Sequence, residues 1–227
     1  MVQCLFFPAS LGVKMMRKSK GLDANRGDRK KRRPKLGAYM IVTDTEKTEK
    51  LYFEGLKGSL PKEVRENLLI KIHSKKEIGS MISFAREENG RDPRYRDIWL
   101  IIDHDEFKDF DIFIADALSE KLNVGWSNPC FEVWLSGYLD SVISVHDSKL
   151  CCQRFEEIFV KKINKKEYDK GDESIYRTLI EFGNEETALK RAREIYNSKN
   201  VGSCKPSQLE GCTSVYLLVE EIKAKVK

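Results

Sequence analysis

Short apolar runs alternate with polar stretches of helical spacing along the middle of this chain, and that alternation predicts its architecture. Ala38 to Val42 is a run of strand formers; Glu46 to Leu56 follows with Tyr52, Phe53 and Leu56 at helical spacing, Thr45 placed to cap it and Gly55 near its stop. Leu60-Pro61 marks a break. Leu68 to His73 reads as a second strand, and Ser74 opens a helix through Ile78, Met81, Ile82 and Ala85 to Asn89-Gly90. Ile98 to Ile102 makes a third strand. Strands separated by helices through short connections imply a parallel sheet covered by helices, because parallel neighbours need crossovers. Phe110 to Leu122 predicts another covering helix, and Asn123 to Trp126 a weak fourth strand ending in Ser127-Asn128-Pro129. Pro129 suits the first turn of a helix that carries Phe131, Val133, Trp134, Leu135, Tyr138 and Leu139. Beyond this the chain reads as helical, in segments near 150–162, 184–198 and 208–225. The fold class is therefore α/β, a mostly parallel sheet flanked by helices with a helical C-terminal region.

Composition adds an appendage to this picture. The chain has 227 residues, 41% apolar and 34% charged, enough for one main domain with an elaborated end. Residues 14–36 hold eleven Lys and Arg against Asp23 and Asp28, a local surplus of +9 in a chain whose net charge is +5, leaving the remainder near −4. Gly21, Gly27 and Pro34 punctuate this run and apolar periodicity is missing, so 1–36 is expected to be a basic flexible arm that adds salt-dependent affinity for nucleic acid. The expected organisation is that arm, an α/β core over 37–140 and a helical region over 141–227. No stretch approaches the roughly 20 apolar residues that span a bilayer, so no membrane partner is expected. Leu5-Phe6-Phe7-Pro8-Ala9 is too short, with no basic stretch before it, for a secretory signal, and Met15 or Met16 is an alternative start. None of the six cysteines forms C-x-x-C, and all six are read as reduced thiols in a cytoplasm.

Two acidic positions mark the candidate chemistry. Asp44 follows the first strand; Asp103 and Asp105 follow the third and bracket His104. Ligands collect at the carboxyl ends of parallel strands, so carboxylates at two such ends can converge on one hard cation, Mg²⁺ or Mn²⁺. Asp103 and Asp105, two apart, share a side of an extended segment and both reach inward, with Asp44 joining from the neighbouring strand. Lys47 can neutralise charge developing on a phosphate, and Glu46 or Glu49 can orient water or act as general base. His73, His104 and His146 lack zinc-ligand spacing and pair with no cysteine doublet, and no G-x-x-x-x-G-K-[ST] occurs. A D-x-D also serves phosphohydrolases and nucleotide-sugar transferases. In haloacid-dehalogenase-type phosphatases, however, the nucleophilic Asp lies on the first strand with Thr or Val two after the second Asp, a slot filled here by Phe107.

These residues resemble the RloB family. The blocks that carry the resemblance are Ile41-Val42-Thr43-Asp44-Thr45-Glu46-Lys47-Thr48-Glu49 with Tyr52-Phe53, then Ile102-Asp103-His104-Asp105-Glu106-Phe107, and Ser127-Asn128-Pro129-Cys130-Phe131-Glu132-Val133-Trp134-Leu135. The last is the most specific. The resemblance implies a Toprim-like core with Asp44, Asp103 and Asp105 as metal ligands, Lys47, Glu49 and Glu132 in catalytic support, and Asn128 and Glu132 facing the acidic cluster. It also implies an anti-phage or abortive-infection nuclease acting on DNA or RNA and controlled by a partner ATPase with a P-loop; whether the chain forms a homo-oligomer stays open. The alternative it allows is a non-catalytic adaptor docking on such an ATPase. The family usually reads Glu-Gly where this chain has Asp44-Thr45, which shortens the acid's reach by about 1.5 Å and counts against a general-base role there.

Overall fold

The computed structural model of the protein describes residues 36–75, 77–105, 107–199 and 203–226. The basic arm therefore lies, but for Leu36, outside the described residues. The frame is a five-stranded sheet in the order β2-β1-β3-β4-β5. Its strands are β1 (Gly37–Thr43), β2 (Leu68–Ser74), β3 (Asp97–Asp103), β4 (Asn123–Asn128) and β5 (Cys212–Thr213). The first four pair in parallel, and β5 closes the edge antiparallel to β4, with Ser127 opposite Thr213.

The chain leaves β1 through α1 (Thr48–Ser59) and α2 (Lys62–Asn67) to reach β2 on one side, then passes through a 3₁₀ turn and α3 (Met81–Arg91) to β3 on the other. The strand order reverses between β1 and β3, and a crevice opens at the carboxyl ends of strands that diverge in this way. Alternation along the strands supplies two apolar faces. Tyr39, Ile41, Trp99 and Ile101 pack with Tyr52, Phe53 and Leu56 of α1 and with α5 (Glu132–Tyr138), α6 (Ser148–Ile163), α7 (Ile175–Phe182) and α9 (Val215–Ala224). Met40, Val42, Leu100 and Ile102 pack with Met81 and Ala85 of α3 and with Phe110 and Phe113 of α4 (Phe110–Ser119). α8 (Glu185–Ser198) lies against α5, where Gly137 lets the Ala188 backbone approach to 3.1 Å from where a Cβ would sit.

Several boundaries depart from the sequence reading. α1 begins at Thr48, after the Thr43 hydroxyl has turned back to the Thr45 carbonyl at 2.6 Å. Ser74 is the last residue of β2, continuing its pairing with Thr43. Pro129 does not open α5: it follows a cis peptide bond to Asn128, and the helix starts only at Glu132. α2, α7 and β5 have no counterpart in the sequence reading, and β5 with α9 brings the far end of the chain onto the sheet.

Candidate active site

The carboxyl ends of β1 and β3 lie side by side, because Thr43 pairs with Ile101 and the Asp44 amide continues the ladder to the Ile101 carbonyl at 3.2 Å. Asp44 thus leaves the sheet at the switch point, beside the last residue of β3. One oxygen, Asp44 Oδ2, accepts from the Asp103 amide at 3.3 Å; Asp103 Oδ2 in turn accepts from the Phe131 amide at 3.0 Å. The second oxygens, Asp44 Oδ1 and Asp103 Oδ1, are buried with no hydrogen-bond partner. Buried carboxylate oxygens are almost always satisfied, so two orphans on neighbouring strand ends offer acceptor capacity that a cation or a donor can fill. The residues present therefore fit a hard divalent ion, which takes oxygen ligands.

Two further acids close on the same point. Asp103 has the alternation of Trp99 and Ile101, which turns it toward the α1 and α5 face. Glu49, in the first turn of α1, is 4% exposed, and Glu132, the first residue of α5, is 1% exposed. The Thr45 hydroxyl donates to Glu49 Oε2. Glu132 Oε1 receives the Lys170 ammonium at 3.0 Å and the Tyr168 hydroxyl at 3.3 Å, and Tyr168 also meets the Thr48 hydroxyl at 3.2 Å.

Like charges so close in a buried place cannot all stay ionised. Burial, and then the Glu49 charge, pushes Asp44 up to about 7. Asp103 is pushed well above the carboxylate range by burial and then by Glu49, Asp44 and Glu132. Burial also raises Glu49; the Thr45 hydrogen bond pulls it back and the Glu132 charge adds to the rise. Burial works against the Lys170 charge, yet Glu132 holds the ammonium above its ordinary value.

The cluster sits in a cleft of about 930 Å³ whose walls include Asp44, Lys47, Glu49, Asp103, Asp105, Ser148, Lys149, Cys152 and Lys170. Of the acids and the lysine singled out in the sequence, Asp44, Asp103, Glu49 and Glu132 converge, and Lys47 stands exposed at the start of α1 with its ammonium paired to no carboxylate among the described residues. Asp105 does not extend the strand. It is exposed, at φ 35°, a conformation an aspartate tolerates better than most residues, and it accepts a hydrogen bond from the Ser148 hydroxyl at the start of α6. It lines the cleft at the rim while Asp103 forms the floor, so the two do not share one side of an extended segment. Asn128 does not face the acids: its amide donates at 3.0 Å to both the Pro206 and Ser207 carbonyls, pinning the loop that precedes β5. His104 turns its ring edge-on to Phe110, on the other face of the sheet.

Sequence reasoning missed Thr45, Tyr168 and Lys170. The sequence offers Thr45 only as a helix cap, and Tyr168 and Lys170 lie in the loop between α6 and α7, where no periodicity points to them. A signal for Glu49 was present. It occupies the first place of the stripe completed by Tyr52, Phe53 and Leu56, so an acid stands where the core expects an apolar side chain.

Among the described residues no helix is long and apolar enough to cross a membrane. No curated protein and no solved structure matches the chain. The family model described as RloB-like protein matches residues 39–222, from the third residue of β1 into α9. The acidic strand ends and the turn into α5 all fall within that span, and the chain belongs to the RloB-like family.

Proposed function

We propose that this chain is a Toprim-type, metal-dependent nuclease that hydrolyses phosphodiester bonds in DNA or RNA as the effector of an anti-phage system. The observation that carries the reading is the pair of buried, unpartnered oxygens, Asp44 Oδ1 and Asp103 Oδ1, on adjacent strand ends at the floor of an open cleft. Asp44 and Asp103 would hold Mg²⁺ or Mn²⁺, with Asp105 entering from the rim. When bound, such an ion polarises a phosphoryl oxygen and acidifies a water.

The remaining roles belong to the chain's own groups. Lys47 and Lys149, both exposed on the cleft wall, attract a polyanion and neutralise charge that develops on the phosphate. Glu49 has its proton affinity raised by burial, which suits a group that accepts a proton from water. Glu132, tied to Lys170 and Tyr168, sets the charge behind this carboxyl rather than moving protons itself. The partner ATPase comes from the resemblance to the RloB family, and it would supply the phosphate-binding glycine motif that this sequence does not carry.

The test is cleavage of single- and double-stranded DNA and RNA by the full chain with Mg²⁺, Mn²⁺ or chelator, alone and with any P-loop ATPase found to be encoded beside it. Asp103→Asn should lower metal-dependent cleavage by at least about 100-fold while leaving the circular dichroism spectrum intact. Cleavage by Asp103→Asn at the unsubstituted rate would refute the assignment. Phage protection that survives Asp103→Asn would place the chain as an adaptor instead.

A further inference from the structure

Beside the acidic floor, the fold brings Cys152 of α6 to Cys130 and Glu132, which stand two residues apart in the sequence. Cys130 lies in the turn before α5, Glu132 is the first residue of α5 and Cys152 belongs to the first turns of α6. One ligand atom from each lies within 4.8 Å of the others, and the two sulfurs are 4.0 Å apart. Cys130 and Glu132 are buried, whereas Cys152 is half-buried, and both thiols line the cleft.

We propose that Cys130, Cys152 and Glu132 form a second metal site, for a borderline-soft divalent ion such as Zn²⁺, distinct from the oxygen site at Asp44 and Asp103 and open to the cleft at its fourth position. Two sulfurs held about 2.3 Å from a tetrahedral ion stand about 3.8 Å apart, close to the spacing found here. A disulfide needs about 2.0 Å and would have to halve that spacing. The donor set also separates the two sites. Two thiolates and a carboxylate select zinc over magnesium, and carboxylates alone do the reverse.

The charge balance favours an ion that comes and goes. With no ion, protonated thiols and the Glu132–Lys170 pair, 3.0 Å apart, leave the place neutral. Zinc binding releases the thiol protons, and two thiolates with one carboxylate then balance a divalent ion and the Lys170 ammonium. Neither state buries a net charge, which would be costly. The Lys170 side chain is 48% exposed and sits between α6 and α7, so it can shift on the carboxylate to admit the ion. The site would tie α6 to the turn whose Phe131 amide holds Asp103 Oδ2 at 3.0 Å. Zinc would then act as a brace on the acidic floor.

The proposal is tested on the full, reduced, metal-free chain with Co²⁺ as a coloured stand-in for Zn²⁺. One equivalent should produce thiolate-to-cobalt charge-transfer absorption that Zn²⁺ abolishes by displacement. Cys152→Ser, at a half-buried position that tolerates the change, should weaken binding by about 100-fold, and Glu132→Gln by at least about 10-fold. Cys204→Ser, at an exposed thiol, and Asp103→Asn should each keep the absorption. A failed nuclease reading thus leaves this result standing. Absence of the absorption at millimolar Co²⁺, its persistence in Cys152→Ser, or zinc that fails to protect Cys130 and Cys152 from alkylation would each overturn the site.

Discussion

Asp44→Asn turns the electrostatics of the acidic floor into a measurable stability. Burial, reinforced by Glu49, holds the Asp44 carboxyl at about 7 in the folded chain against an ordinary 3.8. Between those values the folded protein keeps a proton that the unfolded chain has released, so the metal-free protein loses stability as pH rises. The loss begins above the unfolded value and is complete once pH passes the folded one. Each unit costs about 1.4 kcal/mol, so the full penalty is about 4 kcal/mol, of which about 3 kcal/mol accrues above pH 5. Water entry at the cleft screens part of it, and about half is a realistic floor. Asparagine keeps an acceptor for the Asp103 amide, the bond that Asp44 Oδ2 makes at 3.3 Å, and cannot ionise. In chelator, urea unfolding of Asp44→Asn should show a gain of about 1 kcal/mol near pH 5 that grows to about 2–4 kcal/mol near pH 8. Mn²⁺ at about 100 times its dissociation constant should then stabilise the unsubstituted chain by about 3 kcal/mol at the higher pH and leave the variant unmoved. An equal gain at both pH values, or a loss at both, would show that the oxygens of Asp44 are not held in a desolvated, like-charged cluster.

Lys170→Met should destabilise the fold by about 1–3 kcal/mol, less than for a wholly buried pair because its ammonium is half exposed, while the buried Glu132 loses its cation. Adding Glu132→Gln should recover part of that loss in thermal melts, and strictly additive effects would deny the coupling. Gly183→Ala would set a Cβ 2.6 Å from the Tyr138 carbonyl oxygen and 2.7 Å from that of Leu179; both are backbone atoms with no side-chain freedom, and the expected cost in urea unfolding is about 1–3 kcal/mol. Gly58→Ala, in the same assay, meets nothing within 4 Å inside α1 and should stabilise by about 0.5 kcal/mol or more.

β1, β2 and β3 were legible because each is a short run of apolar strand formers flanked by turn residues, whereas β4, with Val124 and Trp126 among polar residues and Gly125, gives a weaker pattern. β5 was not legible: two residues, Cys212 and Thr213, carry no period, and their place beside β4 is fixed by tertiary bonds such as the Ser214 amide to the Trp126 carbonyl at 2.8 Å. α7 was missed because its eight residues follow a loop dense in Lys and Asp, although Ile175, Tyr176 and Leu179 form a buried stripe. At the site, the two strand-end acids were readable from position alone. The pairing of Glu132 with Lys170 was not, since the partners are brought together only when the loop after α6 folds back over α5.

The aspartate at position 44, where the family resemblance anticipates a glutamate, fits the geometry of its strand. Because the Asp44 amide still bonds to the Ile101 carbonyl at 3.2 Å, the backbone there stays within the β1–β3 ladder rather than lifting into a loop. A side chain rooted so near the end of β3 needs little reach. Its Oδ2 already meets the Asp103 amide at 3.3 Å, and its other oxygen is buried without a partner, as is the outer oxygen of Asp103. Thr45 has a role of its own, since its hydroxyl engages Glu49 and holds a third carboxyl against the same floor. Asp44 and Thr45 together thus couple the acid after β1 to the acid on α1. A proton acceptor at this site is consequently better sought on the helix, at Glu49, than on the strand.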